Sequence, residues 1–263
     1  MRTHEALGET ERRLAAAGVE TARVDAEWLV AHVLGVSRTD VPLHDEVDEP
    51  ALEPLVARRE RREPLAYVLG EWGFRRLTLK TDRRALVPRP ETEVLVERAL
   101  ALIAAEAEPR VLDVGVGSGA VALALADEHP GARITGVDTS PQALTLAREN
   151  AERLGLPVEL LRAGFESASE GWDLVVANPP YVHAYEWDSL QPEIREWEPR
   201  TALVGEGMHE ELLHVANARA LVLEVGDGQA EAVAAAFGER GYGEIRITRD
   251  LSGRERVVEG RRR

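Results

Sequence analysis

A short apolar segment, a glycine-rich turn and a second apolar segment most constrain the fold of this chain. Residues 111–115 have the composition of a short buried strand, and residues 121–126 that of a buried helix. Between them the turn carries Gly115, Gly117 and Gly119. Glycine lets the backbone adopt positive φ and come close to a ligand, and a helix N-terminus offers free N–H groups with partial positive charge. The order of strand, glycine turn and helix predicts a nucleotide-binding turn.

A carboxylate lies at a suitable distance after this turn. Residues 133–138 form a second apolar segment that ends in Asp138. In nucleotide-binding α/β folds, an acidic residue about 20 positions after the glycines accepts hydrogen bonds from ribose hydroxyls. The glycine turn and Asp138 together predict a nucleotide site, with a purely structural βαβ unit as the alternative.

A second candidate site follows the apolar segment of residues 172–177. Asn178, Pro179, Pro180 and Tyr181 end this segment, and the turn is stiff because proline fixes φ and lacks an N–H group. Asn178 is therefore expected at the carboxyl end of a strand, where open α/β sheets bind ligands. Its side-chain amide, with the carbonyl of Pro179, could hold a planar –NH2 group beside the Tyr181 ring. An ordinary strand-ending turn is the alternative.

The glycine turn is also compatible with a dehydrogenase. The glycine spacing satisfies one form of the dinucleotide fingerprint, so a nicotinamide-dependent enzyme stays open. Among the seven histidines, His183 lies beside the candidate site in sequence, where it could assist hydride transfer or simply lie on the surface. The turn that begins at Asn178 has no assigned role in a dehydrogenase.

The composition excludes several classes of protein. The chain has 263 residues, a net charge of −15 and no cysteine. This charge argues against broad nucleic-acid binding, which requires Lys and Arg to neutralise phosphates, so nucleic acid is an unlikely partner. Without cysteine there is no disulfide, thiolate metal site or cysteine nucleophile, and we expect no metal. No apolar segment is long enough for a signal peptide or a membrane span, which predicts a cytoplasmic protein without membrane contact.

The first seventy residues predict a small helical domain. One helix ends near Gly18, and a second covers residues 26–34 with Asp25 as its cap and Trp28 among its apolar residues. A third opens at Asp48, with Pro50 in its first turn. The charge run at residues 58–63 is typical of a solvated helix face, with a contact surface for a polymeric partner as the alternative. This domain would dock a partner or cover a cleft.

The rest of the chain predicts a linker and an α/β domain. Apolar residues on either side of the polar segment 80–84 suggest a β-hairpin, and a helix is expected from about Glu91 to Glu106. Apolar strands alternating with helices, and a final hairpin, predict a doubly wound, mostly parallel sheet. We expect a helical domain over residues 1–70, a hairpin linker over 71–90 and the nucleotide-binding domain over 91–263. Residues 182–199 predict a loop or lid.

These motifs resemble those of class I S-adenosylmethionine-dependent methyltransferases that act on amino groups. The segments Pro64-Leu-Ala-Tyr-Val-Leu-Gly70, Val87-Pro-Arg-Pro-Glu-Thr-Glu93 and Asp250-Leu-Ser-Gly-Arg-Glu-Arg256 are more specifically similar to the HemK/PrmC family. The resemblance covers most of the chain. It implies a Rossmann-like, mostly parallel seven-stranded sheet and S-adenosylmethionine as cofactor. It also implies methylation of the glutamine side-chain nitrogen in the Gly-Gly-Gln motif of peptide-chain release factors, which would be the partners.

The resemblance also implies roles for individual residues. Gly115, Val116, Gly117, Ser118 and Gly119 would hold the methionine part of the cofactor. Asp138 would bind its ribose hydroxyls, and Phe165 would contact its adenine. Asn178 would contact both cofactor and substrate.

The turn after the fourth strand would form the substrate pocket. The oxygen of Asn178 and the carbonyl of Pro179 would accept the two N–H bonds of the substrate amide, with Pro180 and Tyr181 completing the pocket. The expected catalytic residues are therefore Asn178, Pro179 and Tyr181. No general base is evident.

The sequence departs from the family pattern at two places. Gly164 stands where the family usually has an acid before the aromatic residue, and the segment after Gly205 is shorter than usual. An adenine-amino nucleic-acid methyltransferase is an alternative, because the same turn suits a flipped adenine amine. A non-catalytic cofactor-binding adaptor is another.

Overall fold

The computed structural model describes residues 1–262, and these form two compact units. The first unit contains Met1–Glu71 together with Leu190–Trp197. The second contains Trp72–Ser189 and the chain from Glu198 onward. The sequence did not indicate that residues 190–197 belong with the N-terminal unit.

The N-terminal segment is helical, as predicted. Its α-helices are α1 (Thr3–Ala16), α2 (Ala22–Leu34), α3 (Glu49–Glu60) and α4 (Leu65–Leu69). The prediction for α2 was wrong at its start, because the helix begins at Ala22 and Asp25 is a buried residue inside it rather than a cap. Trp28 is not part of the core either, since 37% of its surface is exposed.

The remaining elements alternate between strands and helices. In chain order they are β1 (Glu71–Phe74), β2 (Leu77–Lys80), α5 (Thr92–Ile103), β3 (Arg110–Val114), α6 (Ala120–Glu128), β4 (Arg133–Asp138), α7 (Pro141–Leu154), β5 (Val158–Arg162), β6 (Trp172–Ala177), α8 (Pro192–Trp197), α9 (Met208–Val215), β7 (Ala218–Glu224), α10 (Ala230–Glu239), β8 (Gly243–Arg249) and β9 (Glu255–Arg261). The segment predicted as a loop or lid therefore contains α8 and a short 3₁₀ helix at Ala184–Ser189.

Seven strands form one sheet in the order β5-β4-β3-β6-β7-β9-β8. The pairs from β5 to β7 are parallel, and β9 is antiparallel to both β7 and β8. This confirms the mostly parallel seven-stranded sheet and its terminal hairpin. The strand order reverses between β3 and β6, which is the place where such sheets bind ligands.

Helices cover both faces of the sheet, so its central strands are buried on both sides. Neighbouring residues of β3 point to opposite faces, with Val111 in one apolar cluster and Leu112 in the other. The cluster around Val111 includes Leu95 of α5 and Leu123 of α6, and the cluster around Leu112 includes Phe237 of α10. Among the described residues, no helix combines the length and apolar character needed to cross a membrane.

The predicted hairpin is present, but it turns at a different place. Strands β1 and β2 form a two-stranded sheet joined at Arg75 and Arg76, not at residues 80–84. Arg75 adopts a positive φ of 50°, and its guanidinium is fixed by Glu128. A turn of two residues joins two four-residue strands directly, so the polar segment after β2 is left to form a loop.

The charge run at the end of α3 is not simply a solvated face. Arg59 is 4% exposed and donates from Nε to Asp25 Oδ2 at 2.6 Å. Arg59 and Arg62 also both bind Glu193 of α8, within the same unit. The solvated interpretation was therefore wrong for these two arginines, because buried and half-buried carboxylates pair with them.

Candidate active site

A cavity of about 480 Å³ lies at the carboxyl ends of the central strands. Its wall includes Gly115, Val116, Gly117 and Ser118 of the glycine turn. It also includes Asp138 at the end of β4, Phe165 after β5, and Asn178 and Pro180 after β6. The fold therefore brings the two sites predicted from the sequence to one cavity within the second unit.

The glycine turn is shaped by positive φ angles. Gly115, Gly117 and Gly119 have φ angles of 79°, 56° and 89°, which side chains rarely tolerate. A Cβ on Gly119 would lie 2.9 Å from Leu123 Cδ1, and Gly119 is not part of the cavity wall. The first two glycines thus open the backbone to the cavity, whereas Gly119 allows the start of α6 to pack closely.

Asp138 ties the glycine turn to the end of β4. Its Oδ2 accepts the backbone N–H of Gly117 at 3.0 Å, and its Oδ1 accepts that of Ser140 at 2.8 Å. A carboxylate offers about four acceptor positions. Asp138 can therefore hold the turn and still accept hydrogen bonds from a ligand in the cavity.

Asp113 is a second carboxylate on the cavity wall, which the sequence analysis did not single out. It is buried, and its Oδ2 accepts the N–H of Ala122 in the first turn of α6 at 3.0 Å. Burial raises its pKa to about 7, the N–H group lowers it, and the charge of Asp138 raises it. A positively charged ligand would favour the ionised form of Asp113.

The region of Phe165 holds an acid in an unexpected position. Gly164 occupies the place where the family pattern has an acid, but Glu166 also lies on the cavity wall. Its Oε1 accepts the N–H of Gly164 at 2.9 Å. A carboxylate is therefore present next to Phe165, on its other side in the sequence.

Only part of the turn that begins at Asn178 lines the cavity. Asn178 and Pro180 line the cavity, whereas Pro179 is buried and Tyr181 lies outside the wall. Asn178 donates from Nδ2 to Thr92 Oγ1 at 3.3 Å. The hydroxyl of Tyr181 donates to Glu224 Oε1, also at 3.3 Å.

Close backbone packing fixes this turn from behind. A Cβ on Gly205 would lie 2.7 Å from the carbonyl oxygen of Pro180, and a Cβ on Gly226 would lie 3.0 Å from the Tyr181 ring. The carbonyl of Tyr181 accepts a hydrogen bond from Gln229 Nε2 at 3.1 Å. Since both neighbouring positions lack side chains, the turn can pack directly against them.

Thr92 and Glu224 were missed by the sequence analysis. Thr92 opens α5 and lies on the cavity wall, and Glu224 ends β7 beside the end of β6. Burial raises the pKa of Glu224 to about 7, although the nearby hydroxyls of Thr92 and Tyr181 and the charge of Arg256 oppose this rise. The available signal was a charged residue at the carboxyl end of an otherwise apolar strand.

The segment after Gly205 forms α9 and contributes to the cavity. Met208 and Glu211 lie on the wall, and the ring of the buried His209 lies 2.8 Å from the backbone oxygen of Glu224. Burial lowers the pKa of His209. The short segment thus supplies both a wall and a support for the end of β7.

His183 has no place in the cavity wall. Its ring stacks on Tyr185, with 5.2 Å between the ring centroids. In the part of the chain that the structure describes, no group of acidic residues and histidines has an arrangement that would hold a metal ion.

Two family models match the chain in sequence. Residues 5–70 match the PrmC N-terminal domain, and residues 91–195 match the methyltransferase small domain. The two matches cover most of the helical segment and the first half of the α/β unit.

Several relatives are similar over nearly their whole length, and each is named release factor glutamine methyltransferase. The chain is 42% identical to the protein of Geobacter sulfurreducens, over 96% of this chain and 94% of the relative. It is 41% identical to the protein of Salmonella typhimurium, over 92% of this chain and 93% of the relative. It is 39% identical to the protein of Deinococcus radiodurans, over 100% of this chain and 99% of the relative.

Solved structures share the fold at low sequence identity. The METTL16 catalytic domain in complex with the MAT2A 3'UTR hairpin 6 aligns with a TM-score of 0.59 and 14% identity, over 79% of this chain and 81% of that one. The Thermus thermophilus 16S rRNA N2 G1207 methyltransferase aligns with a TM-score of 0.54 and 18% identity, over 73% of this chain and 50% of that one. At this identity the likeness shows the class I methyltransferase fold alone.

Proposed function

Because the chain belongs to the release factor glutamine methyltransferase family, we propose that it methylates a glutamine side chain of peptide-chain release factors. The methyl donor is S-adenosylmethionine, and the target is the side-chain nitrogen in the Gly-Gly-Gln motif. The observation that carries the proposal is the position of Asn178, which lies on the same cavity as the glycine turn. The release factor is the proposed partner, and we propose a cytoplasmic reaction because release factors act in translation.

The cavity wall fits S-adenosylmethionine. The backbone is open at Gly115, where a Cβ would meet no atom within 4 Å, so the turn can approach the methionine part of the cofactor. Asp138 has acceptor positions left for ribose hydroxyls, and Phe165 offers a flat apolar surface for adenine. Asp113 and Asp138 suit a ligand with positive charge. When bound, the cofactor supplies a methyl group activated by its positively charged sulfur.

The substrate amide needs orientation more than activation. A carboxamide nitrogen is a weak nucleophile because its lone pair is delocalised into the carbonyl. We assign the Asn178 side-chain oxygen and the Pro179 carbonyl to accept the two N–H bonds of this amide. Holding reactants in the right geometry contributes up to about 7–11 kcal/mol to lowering a barrier. The nitrogen gains one methyl group and loses one proton, which leaves to water.

Pro180 and Tyr181 have supporting roles in this proposal. Pro180 lies on the cavity wall beside Asn178 and can contact the substrate side chain. Tyr181 lies behind the wall, and burial raises the pKa of its phenol. It therefore stays protonated and serves as a hydrogen-bond donor to Glu224, with no role as a base.

The alternatives have less support. The relatives that cover nearly the whole chain carry the name of a protein-modifying enzyme, and the net charge of −15 opposes binding to phosphates. The structures of RNA-modifying enzymes share only the fold with this chain. A dehydrogenase gives the turn at Asn178 no role.

Mass spectrometry tests the proposed activity directly. A bacterial release factor is incubated with the protein and S-adenosylmethionine, and the Gly-Gly-Gln peptide is analysed for a mass gain of one methyl group. We expect methylation on the glutamine with the wild type and none with Asn178→Ala. Absence of methylation by a protein that binds the cofactor would contradict the proposed substrate, and nucleic-acid amines would then be tested.

A further inference from the structure

We propose that Arg89 binds main-chain carbonyl oxygens of the substrate loop, and that Glu198 is a positioning residue that holds the Arg89 guanidinium at the cavity. This inference rests on the proposed function, in which the target is the glutamine of a Gly-Gly-Gln motif. Glycines have no side chains, so an enzyme that recognises this motif must bind its main-chain N–H and C=O groups. The oxygens assigned to Asn178 and Pro179 are acceptors, so the substrate carbonyls need donors from elsewhere on the wall.

Two arginines line the cavity, and they differ in the hydrogen bonds that they make. Arg84 donates from Nε and Nη2 to Asp82 and from Nη1 and Nη2 to Glu149, so each of its guanidinium nitrogens has a partner. In the part of the chain that the structure describes, the Arg89 guanidinium makes one hydrogen bond, from Nη2 to Glu198 Oε1 at 2.6 Å. The Arg89 side chain is 30% exposed. Arg89 therefore keeps most of its N–H donors for a ligand in the cavity.

Glu198 is placed to orient Arg89. Its side chain is 1% exposed, and its Oε2 is buried without a hydrogen-bond partner among the described residues. A buried carboxylate is costly unless a cation pairs with it. The carboxylate of Glu198 therefore restrains the guanidinium more firmly than an exposed acid would, while the rest of the Arg89 side chain remains on the cavity wall.

The backbone places Arg89 close to the turn that begins at Asn178. The carbonyl of Arg89 accepts the N–H of Thr92 at 3.1 Å, and Thr92 Oγ1 accepts from Asn178 Nδ2 at 3.3 Å. Pro199, which follows Glu198 in the chain, also lies on the cavity wall. The donors of Arg89 and the acceptor of Asn178 thus belong to one cavity, where a short peptide segment can meet both.

The cofactor offers a competing oxygen ligand, which is the carboxylate of its methionine part. In the proposed function the glycine turn binds this part, and the N–H groups at the start of α6 suit a carboxylate. The substrate carbonyls have no donor assigned to them. The substrate is therefore the ligand that we assign to Arg89, and cofactor affinity is measured beside substrate affinity to separate the two.

Arg89→Met and Arg98→Met form a matched pair of variants. Arg98 also donates to a buried carboxylate, that of Glu259, but it lies outside the cavity wall. For Arg89→Met we expect the KM for the release factor to rise about tenfold to a hundredfold, the size expected when hydrogen bonds from a charged donor are lost. The kcat should stay within about threefold, because main-chain binding is equal in the ground state and the transition state.

The control variant and the cofactor give the remaining expected values. Arg98→Met should keep the wild-type KM. The Kd for S-adenosylhomocysteine, measured by calorimetry, should change less than about threefold in both variants. The assays are run at about pH 8, because burial raises the pKa of Glu198 and the pairing with Arg89 requires its ionised form.

A double variant separates substrate binding from stability. Arg89→Met alone leaves Glu198 buried without its cation, so urea unfolding should show a loss of stability. Adding Glu198→Gln removes that charge and should restore stability, but the KM should stay as high as in Arg89→Met. Glu198→Gln alone should raise the KM by a smaller factor. Because Glu198 acts through Arg89, its substitution should add nothing to the KM of Arg89→Met.

The outcomes distinguish the inference from the proposed function. If the wild type itself transfers no methyl group to the release factor, the proposed function fails and the inference falls with it. If the wild type is active, a wild-type KM in the double variant would show that Arg89 acts through stability, which overturns the inference alone. A weaker Kd for S-adenosylhomocysteine with an unchanged KM would assign Arg89 to the cofactor and also overturn it. So would an equal rise in KM in Arg98→Met.

Discussion

Asn150 of α7 donates from Nδ2 to the carbonyl oxygen of Ser118 in the glycine turn, at 2.9 Å. The same side chain also binds both backbone groups of Lys80, accepting its N–H at 2.7 Å and donating to its carbonyl at 3.1 Å. Asn150 is fully buried. The glycine turn is therefore held from two sides, by Asp138 at Gly117 and by Asn150 at Ser118.

Replacing Asn150 should weaken both the fold and the cofactor site. Asn150→Ala removes the partner of the buried Ser118 carbonyl and of both half-buried backbone groups of Lys80, which costs about 2–4 kcal/mol in the free energy of unfolding. Because Ser118 lies on the cavity wall, the Kd for S-adenosylhomocysteine should rise as well. Urea unfolding and calorimetry measure the two effects. Asn217→Ala is the control, since the exposed Asn217 side chain makes one hydrogen bond of 3.4 Å. Equal stability of the two variants would contradict this role for Asn150.

The sequence predicted the parts of the site that depend on neighbouring residues in the chain. The glycine turn, Asp138 and the turn at Asn178 each follow an apolar strand, and the carboxyl ends of parallel strands meet at one edge of a sheet. Sequence patterns could not predict partners that meet only through the tertiary fold. Thr92 meets Asn178 across 86 positions of the chain, and no local periodicity encodes such a pair.

The wrong predictions have similar causes. The hairpin was misplaced because the polar segment at residues 80–84 resembles a turn, whereas Arg75, at the actual turn, pairs with Glu128, which lies 53 positions away. The buried role of Arg59 depends on Asp25 and on Glu193, which lies 134 positions away. A charge run has no feature in sequence that separates solvated residues from residues with distant partners.

A side chain at Gly205 should displace the turn that begins at Asn178. A Cβ there would lie 2.7 Å from the backbone oxygen of Pro180 and 2.7 Å from Met208 Cγ. Backbone cannot move aside as easily as a flexible side chain, so Gly205→Ala should cost about 1–3 kcal/mol of stability. The displaced turn should also lower the rate of methylation, by about tenfold or more.

The control for Gly205→Ala is Gly73→Ala. A Cβ on Gly73 would meet no atom within 4 Å, and its φ is not positive. Urea unfolding and single-turnover methylation are measured for both variants. Wild-type rates in Gly205→Ala would show that the turn tolerates this displacement and would contradict the rigid packing described above.

Stability should fall as the pH rises through neutrality, because two buried carboxyl groups hold their protons in the folded state. Burial raises the pKa of Asp113 and of Glu224 to about 7, from ordinary values of 3.8 and 4.5. A raised folded-state pKa gives stability that is fully present below the unfolded-state pKa and is lost as the pH rises through about 7. For each group the loss is on the order of 3 kcal/mol.

Glu224→Gln isolates one of these two contributions. The free energy of unfolding is measured with urea from about pH 5 to about pH 8 for the wild type and the variant. Across this range the free energy of unfolding should fall on the order of 2–3 kcal/mol more in the wild type than in the variant, because the Gln side chain has no proton to lose. Tyr181, Arg256, Glu91 and His209 surround this site in both proteins. Parallel pH profiles would contradict the raised pKa of Glu224.

Glu193 should hold residues 190–197 in the N-terminal unit. Its Oε1 accepts from Arg59 at 2.8 Å and from Arg62 Nε at 2.7 Å, and its Oε2 accepts from Arg62 at 2.6 Å. The Glu193 and Arg59 side chains are 13% and 5% exposed, so solvent screens this pair less than a surface pair. Glu193→Ala should cost about 3 kcal/mol locally, because it removes one partner of a largely buried ionic cluster.

Hydrogen exchange measured by mass spectrometry locates this effect. In Glu193→Ala, amide protons of the peptide that contains α8 should exchange faster by about a hundredfold, as expected for a local loss of about 3 kcal/mol. Glu196→Ala is the matched control on the same helix, since Glu196 is exposed and its 3.3 Å pair with Arg195 is a surface pair worth about 1 kcal/mol or less. Faster exchange in both variants would mean that α8 depends on general helix stability. Unchanged exchange in Glu193→Ala would show that the ionic cluster does not hold the segment.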